Sequence, residues 1–175
     1  MRRVALVLVA AMVLGTGAVT AAPATAAKEK KIKSCKKDKK VAEHIQDAFN
    51  VYLTSDSSED KMEFVQDGEK LISISDEGSA AAAAAGQTTS DTTTYAVDLQ
   101  VTCDGKKAAT FTYDLAINLP KPVTNPPSTG IGLDFAGDAV LVKGKWLITG
   151  ATVCDLIGQN PNTPGLGEKC LDAIL

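Results

Sequence analysis

The chain predicts an α+β domain, with N-terminal helices packed on one face of a curved, antiparallel four-strand meander. Three observations carry this prediction. Apolar residues recur at helical spacing over residues 41–53, the period changes to two from Thr94 onward, and Asp104-Gly105 separates two alternating runs.

Taken in chain order, residues 1–26 read as a signal peptide. "MRR" is a basic n-region, "VALVLVAAMVLGTGAV" an apolar h-region, and "TAAPATAA" offers small residues for cleavage. Cleavage after Ala21, Ala22 or Ala26 fits, and Ala24-Thr25-Ala26 places it after Ala26. The apolar run is short of the roughly 20 residues of a membrane span, and no second such segment follows, so no integral span is expected after cleavage. The expectation is an exported protein, secreted or associated with the cell envelope.

Residues 27–40 read as a lysine-rich, mobile arm. Lys28 to Lys40 holds eight lysines against two acids, a net +6, whereas from Val41 onward eight lysines face nineteen acids, a net −11. Such a run suits an anionic surface or a cell-envelope polymer, or its own acidic domain. Nucleic acid is disfavoured, because the run has no arginine and no interleaved aromatics.

Val41, Ile45, Ala48, Phe49 and Tyr52 form one helical stripe. Ser57 followed by Asp60 marks the start of a second helix, which should stop near Asp67-Gly68. "EKLISIS" is a short third element, helix or strand. The alanine tract within 79–93 predicts a frayed helix running into a low-complexity connector, since six alanines are too few to hold a helix alone.

Then Tyr95, Val97, Leu99, Val101 and Cys103 alternate with polar or small residues, and after the turn Ala109, Phe111, Tyr113, Leu115, Ile117 and Leu119 do the same. One wet and one dry face imply an antiparallel sheet covered on one side. The Pro/Gly-rich stretch at 120–134 is a loop. Strands at about 135–143 and 145–154 turn at Gly144 and complete a domain spanning 41–158. Residues 159–175 read as a tail tied down by a disulfide.

Four cysteines, Cys35, Cys103, Cys154 and Cys170, read as two disulfides in an oxidising compartment. There is no C-x-x-C pair and a single histidine, His44, so neither a metal site nor a cofactor is expected. With strands that reverse in turn, Cys103 and Cys154 fall at opposite ends of a sheet about 33 Å long, which rejects that pair. Cys35–Cys103 with Cys154–Cys170 is the first choice, and Cys35–Cys154 with Cys103–Cys170 stays open.

The segments "VAEHIQDAFNVYL", "SSEDKMEFVQDGEKL" and "AVLVKGKWLITGATVCDLIG" together resemble the secreted low-molecular-weight antigen family of mycobacteria and related actinobacteria. Lys61, Val65 and Gly68 fill the first of its patterns; Gly144, Trp146, Ile148, Ala151 and Cys154 fill the closing hairpin. The resemblance implies a cystatin-like, nuclear-transport-factor-like cone, an extracellular location and no catalytic residues.

No Ser-His-Asp motif, Walker loop, G-x-G-x-x-G or H-E-x-x-H is present, and the in-strand carboxylates Asp98 and Asp114 fall on the wet face. The expectation is a non-catalytic interaction or structural module. The alternative is a binder of a small apolar ligand or lipid inside the cone, lined by Phe49, Tyr52, Tyr95, Phe111, Tyr113 and Trp146.

Overall fold

A computed structural model describes residues 32–86 and 92–175 of the chain. The signal peptide, the lysines before Ile32 and the centre of the low-complexity connector lie outside the described residues. The order is three helices, a four-strand meander and two further helices: α1 (Val41–Thr54), α2 (Ser58–Met62), α3 (Ile72–Ala84), β1 (Thr92–Cys103), β2 (Ala108–Pro120), β3 (Phe135–Val142), β4 (Lys145–Ile148), α4 (Gly150–Gly158) and α5 (Leu166–Ile174). The sheet is antiparallel throughout, in the order β1-β2-β3-β4.

The stripe on α1 does what its spacing predicts. Ile45, Ala48 and Phe49 are buried against the sheet. Phe49 meets Phe111 and Tyr113 edge to face, with ring centroids 5.6 and 4.7 Å apart, the arrangement the quadrupoles of aromatic rings favour. Ser57 caps α2 by accepting from the Asp60 amide at 3.1 Å. The helix then ends at Met62, earlier than expected, and Phe64–Gln66 run beside β4. There Gln66 N donates to Ile148 O and Ile148 N to Phe64 O. "EKLISIS" is helical, and the alanine tract continues it as α3.

Two bulges alter the predicted alternation. Asp98 (φ 51°) and Asn118 (φ 56°) each insert a residue, and the β1–β2 register shifts beside both. Below the Asp98 bulge the core face is Leu99, Val101 and Cys103, as expected; above it Ala96 joins the core cluster in place of Tyr95, while Val97 is buried, 2% exposed, outside that cluster. Tyr95 is half-exposed and outside the core cluster. Past Tyr113, Ala116 is buried and Ile117 is 46% exposed, the reverse of the simple alternation.

The C-terminal part differs most from the sequence expectation. The fourth strand stops at Ile148, because Thr149 caps a helix there, its hydroxyl accepting from the Thr152 amide at 3.3 Å. Residues 150–154 are therefore the first turns of α4. The expected tail is α5, with Leu166 and Cys170 buried against α4. The two helices approach so closely that a Cβ on Gly167 would lie 2.7 Å from Gly158 Cα. The disulfides are Cys35–Cys103 and Cys154–Cys170, with Cα separations of 5.8 and 5.3 Å. The first-choice pairing is the observed one, but Cys154 reaches Cys170 from a helix and not from a strand end.

Residues 32–40, the described part of the arm expected over 27–40, contact the domain. Cys35 is 1% exposed, and its amide donates to Lys106 O at 2.8 Å in the β1–β2 turn. Asp38 accepts from Trp146 Nε1 at 3.0 Å and faces His44 Nδ1 at 2.8 Å, which ties the segment to both β4 and α1.

Trp146 lies inward on β4, 3% exposed, opposite Leu141 across a turn in which Lys143 and Gly144 both have positive φ. Trp146→Ala should lower unfolding free energy by about 3–5 kcal/mol, read from the urea midpoint at constant slope. Gly167→Ala should cost about 1–3 kcal/mol by forcing α4 and α5 apart. A wild-type midpoint for Gly167→Ala would show that the helices separate freely.

Candidate functional site

The cone's interior is filled by its own side chains. Phe49, Phe111 and Tyr113 interlock, Phe135 stacks on Tyr113 at 5.5 Å, and Trp146 is buried apart from them beside Asp38. Of the six aromatics expected to line a pocket, four are thus core, one of which, Phe111, also borders a groove of about 480 Å³; Tyr95 is half-exposed, and Tyr52 lines a larger open hollow.

That hollow is a cleft of about 780 Å³ at the mouth of the cone, bounded by the end of α1, by α2, by α3, by the paired ends of β1 and β2, and by the end of α4. Tyr52 reaches it because it is one turn beyond Phe49 on the same helical stripe, with its ring parallel to that of Phe49 at 6.1 Å. Thr93 fixes the rim by donating to Leu53 O at 3.2 Å. Ser58 and Ser75 join α2 to α3 through a 3.0 Å hydroxyl contact. Thr163 Oγ1 donates to Ile157 O at 3.1 Å and closes the α4 side. Ile117 lines the cleft because the Asn118 bulge turns the end of β2.

The lining is mixed. Ile74, Leu115, Ile117, Leu156 and Ile157 are apolar, while Lys61, Lys121 and Asp56 stand among hydroxyls. Lys121 pairs with Asp56. Burial pushes the Lys61 ammonium below its ordinary value, Lys121 adds to this, and Asp56 and Asp76 oppose it. Burial raises the Tyr52 hydroxyl well above its ordinary value, with Tyr113 contributing, and raises Tyr113 to about 12, with Asp155 contributing. Both hydroxyls therefore stay protonated at neutral pH and can act as hydrogen-bond donors.

A second groove, of about 480 Å³, is lined by β1, β2, β3 and α4, with Gln100, Thr110, Phe111, Asp138 and Asp155 among its residues. Of the in-strand carboxylates, Asp98 is exposed on its bulge. Asp114 holds the 130–133 loop, accepting from the Gly132 amide at 2.8 Å and the Leu133 amide at 3.3 Å. A Cβ on Gly130 would fall 2.4 Å from the Asp114 carboxyl carbon. Burial opposes its ionisation, but the amides of Gly132, Leu115, Leu133 and Ile131 outweigh that and hold it below its ordinary value. Among the described residues no three or more His, Cys, Asp or Glu side chains group as metal ligands, and no helix is long and apolar enough to cross a membrane.

The fold and cleft define an α+β cone domain with two disulfides and a ligand-sized opening at its mouth. Comparison with protein-family models, with curated proteins and with solved structures found no match.

The Asp38 contact makes stability depend on pH. Burial of this carboxyl, 5% exposed, raises its proton affinity, but the hydrogen bonds from His44, Trp146 and the Lys40 amide prevail and lower it below its ordinary value. Its stabilisation is therefore present above the unfolded value of about 3.9 and is lost as pH falls through the lower folded value. Asp38→Asn should cost about 1–2 kcal/mol at pH 7. The gap to wild type should narrow below pH ~3.9 when denaturant unfolding is followed across pH. An unchanged gap down to pH ~2 would place the loss in packing rather than charge.

Proposed function

We propose that this protein is an exported, non-catalytic binding module of the secreted actinobacterial low-molecular-weight antigen type, and that it holds a small amphipathic molecule at the mouth of its cone. The observation that carries this is the cleft of about 780 Å³, a volume in the ~300–1,000 Å³ range of small-molecule sites, walled by rigid elements and lined by both apolar and polar side chains. Export is supported by the n-, h- and cleavage-region pattern of residues 1–26 and by the two disulfides, which suit an oxidising compartment.

The apolar ligand expected from the sequence is kept, but its place moves. It belongs at the mouth, against Tyr52, because Phe49, Phe111 and Tyr113 already occupy one another's surfaces. That filled interior also favours a second reading, a scaffold that presents its surface to a macromolecule and takes no small ligand. Of the lysines of Lys28–Lys40 suited by charge to a cell-envelope polymer, Lys33, Lys36, Lys37 and Lys39 show no carboxylate within 4.0 Å among the described residues.

Native mass spectrometry of protein taken from culture supernatant separates the two. The expected species starts at Ala27, carries the mass deficit of two disulfides and retains a small molecule that organic solvent strips. A bare chain, together with no displacement of a fluorescent apolar probe, would overturn the ligand reading and leave the scaffold.

A further inference from the structure

The cleft contains a charge that a purely apolar ligand would leave unanswered. Lys61 on α2 and Lys121 at the end of β2 both line it, and they are not equivalent. Lys121 is ion-paired with Asp56, and its side chain is 19% exposed. Lys61 is half-buried and, among the described residues, has no carboxylate within 4.0 Å. Asp56 and Asp76 reach it at longer range, while Lys121 repels it. Lysine gives up water readily only where an anion replaces it, so this ammonium is a cation whose partner the described chain does not supply. The same lining holds the hydroxyls of Ser75 and Ser79 and the apolar side chains of Ile74, Leu115, Ile117 and Ile157.

Building on the cleft reading above, we infer that the ligand is a single-chain amphiphile with one negative charge, a fatty-acid carboxylate, whose head meets Lys61 and whose chain lies against Ile74, Leu115, Ile117 and Ile157. Charge complementarity selects the head. One unpaired cation matches one anionic charge, whereas a dianionic phosphate monoester needs a second cation, and Asp56 already holds that one. The mixed lining selects an amphiphile over a hydrocarbon, because a hydrocarbon would cover the ammonium and hydroxyls without bonding them.

The test uses the full mature chain, delipidated, titrated with palmitate, methyl palmitate and hexadecyl phosphate by displacement of a fluorescent fatty-acid probe. Palmitate should bind about tenfold or more tightly than methyl palmitate, which differs only at the head. Lys61→Met should remove that preference while leaving methyl palmitate unchanged, and Lys61→Arg should restore it. Ala82→Trp, which fills the cleft, should abolish binding of both. Equal affinity of wild type for palmitate and its methyl ester would overturn the head assignment while leaving the cleft reading standing. Tighter binding of hexadecyl phosphate would likewise overturn it. No binding of any of the three would remove the cleft reading itself. Should Ala82→Trp change sedimentation rather than binding, the occupant is a second copy of the chain and the inference falls. The wild-type comparison decides the matter even if a variant does not fold.

Discussion

The seating of Phe49 on Phe111 and Tyr113 is the contact on which the rest of the molecule depends. It fixes α1 across the sheet, with the rings meeting at interplanar angles of 62° and 78°. Burying such a ring contributes about 1.5–3 kcal/mol, and each aromatic pair adds about 0.5–1.5 more. Position matters more than magnitude here. One turn before Phe49, Ile45 and His44 face β4 and the Asp38 segment; one turn after it, Tyr52 and Leu53 form a wall of the cleft. A single helix thus transmits the packing of the core to both ends of the cone.

The sheet edges show how that packing is kept to one chain. β1 has no strand on its outer side, and Asn50, 4% exposed, takes the place of one. Its side-chain amide accepts from Ala96 N at 2.7 Å and donates to Ala96 O at 3.2 Å, while Gln46 donates to the same carbonyl at 3.0 Å. The Asp98 bulge bends the edge further on, and Phe64–Gln66 cover β4. Such devices blunt an edge against pairing with another chain. They are invisible to periodicity. Asn50 lies off the apolar stripe, and an aspartate at positive φ looks from sequence like any wet-face residue.

What was legible followed from burial pattern, and what was missed followed from backbone conformation. The α1 stripe, the β1–β2 hairpin and the turn at Gly144 were readable from spacing, and the disulfide pairing only as the preferred of two left open. The end of β4 was not read correctly, since "WLITGATVC" alternates well enough to pass for strand. The Thr149–Thr152 cap was the local signal against it. Leu166, Cys170, Ala173 and Ile174 carried a helical spacing hidden behind the prolines and glycines that precede them. For the site, the aromatics drew the reading inward, where they fill space. Lys61 was noted only as part of a family pattern and Lys121 not at all, because they are 60 residues apart and only the return of β2 past α2 brings them to one rim.

The placement of the cross-links bears on why the opening is at this end. Cys103 closes β1 at the hairpin, and the cleft begins at Thr92–Thr94, the other end of the same 12-residue strand, about 35–40 Å away when extended. Cys154–Cys170 holds α4 against α5, while the cleft takes the exposed end of α4 at Leu156, Ile157 and Asn160. The Cys35–Cys103 link therefore acts away from the mouth, the close Gly158–Gly167 contact backs its α4 wall, and the other walls are joined by single hydrogen bonds and by the Lys121–Asp56 pair, whose carboxylate is exposed. Exposed pairs contribute little, with a median of about 0–1 kcal/mol. Stability concentrated at the hairpin and behind α4 leaves the walls of the cleft free to bear groups chosen for something other than cohesion. The half-buried Lys61, in the same lining as Ile74, Ile117 and Ile157, is such a group.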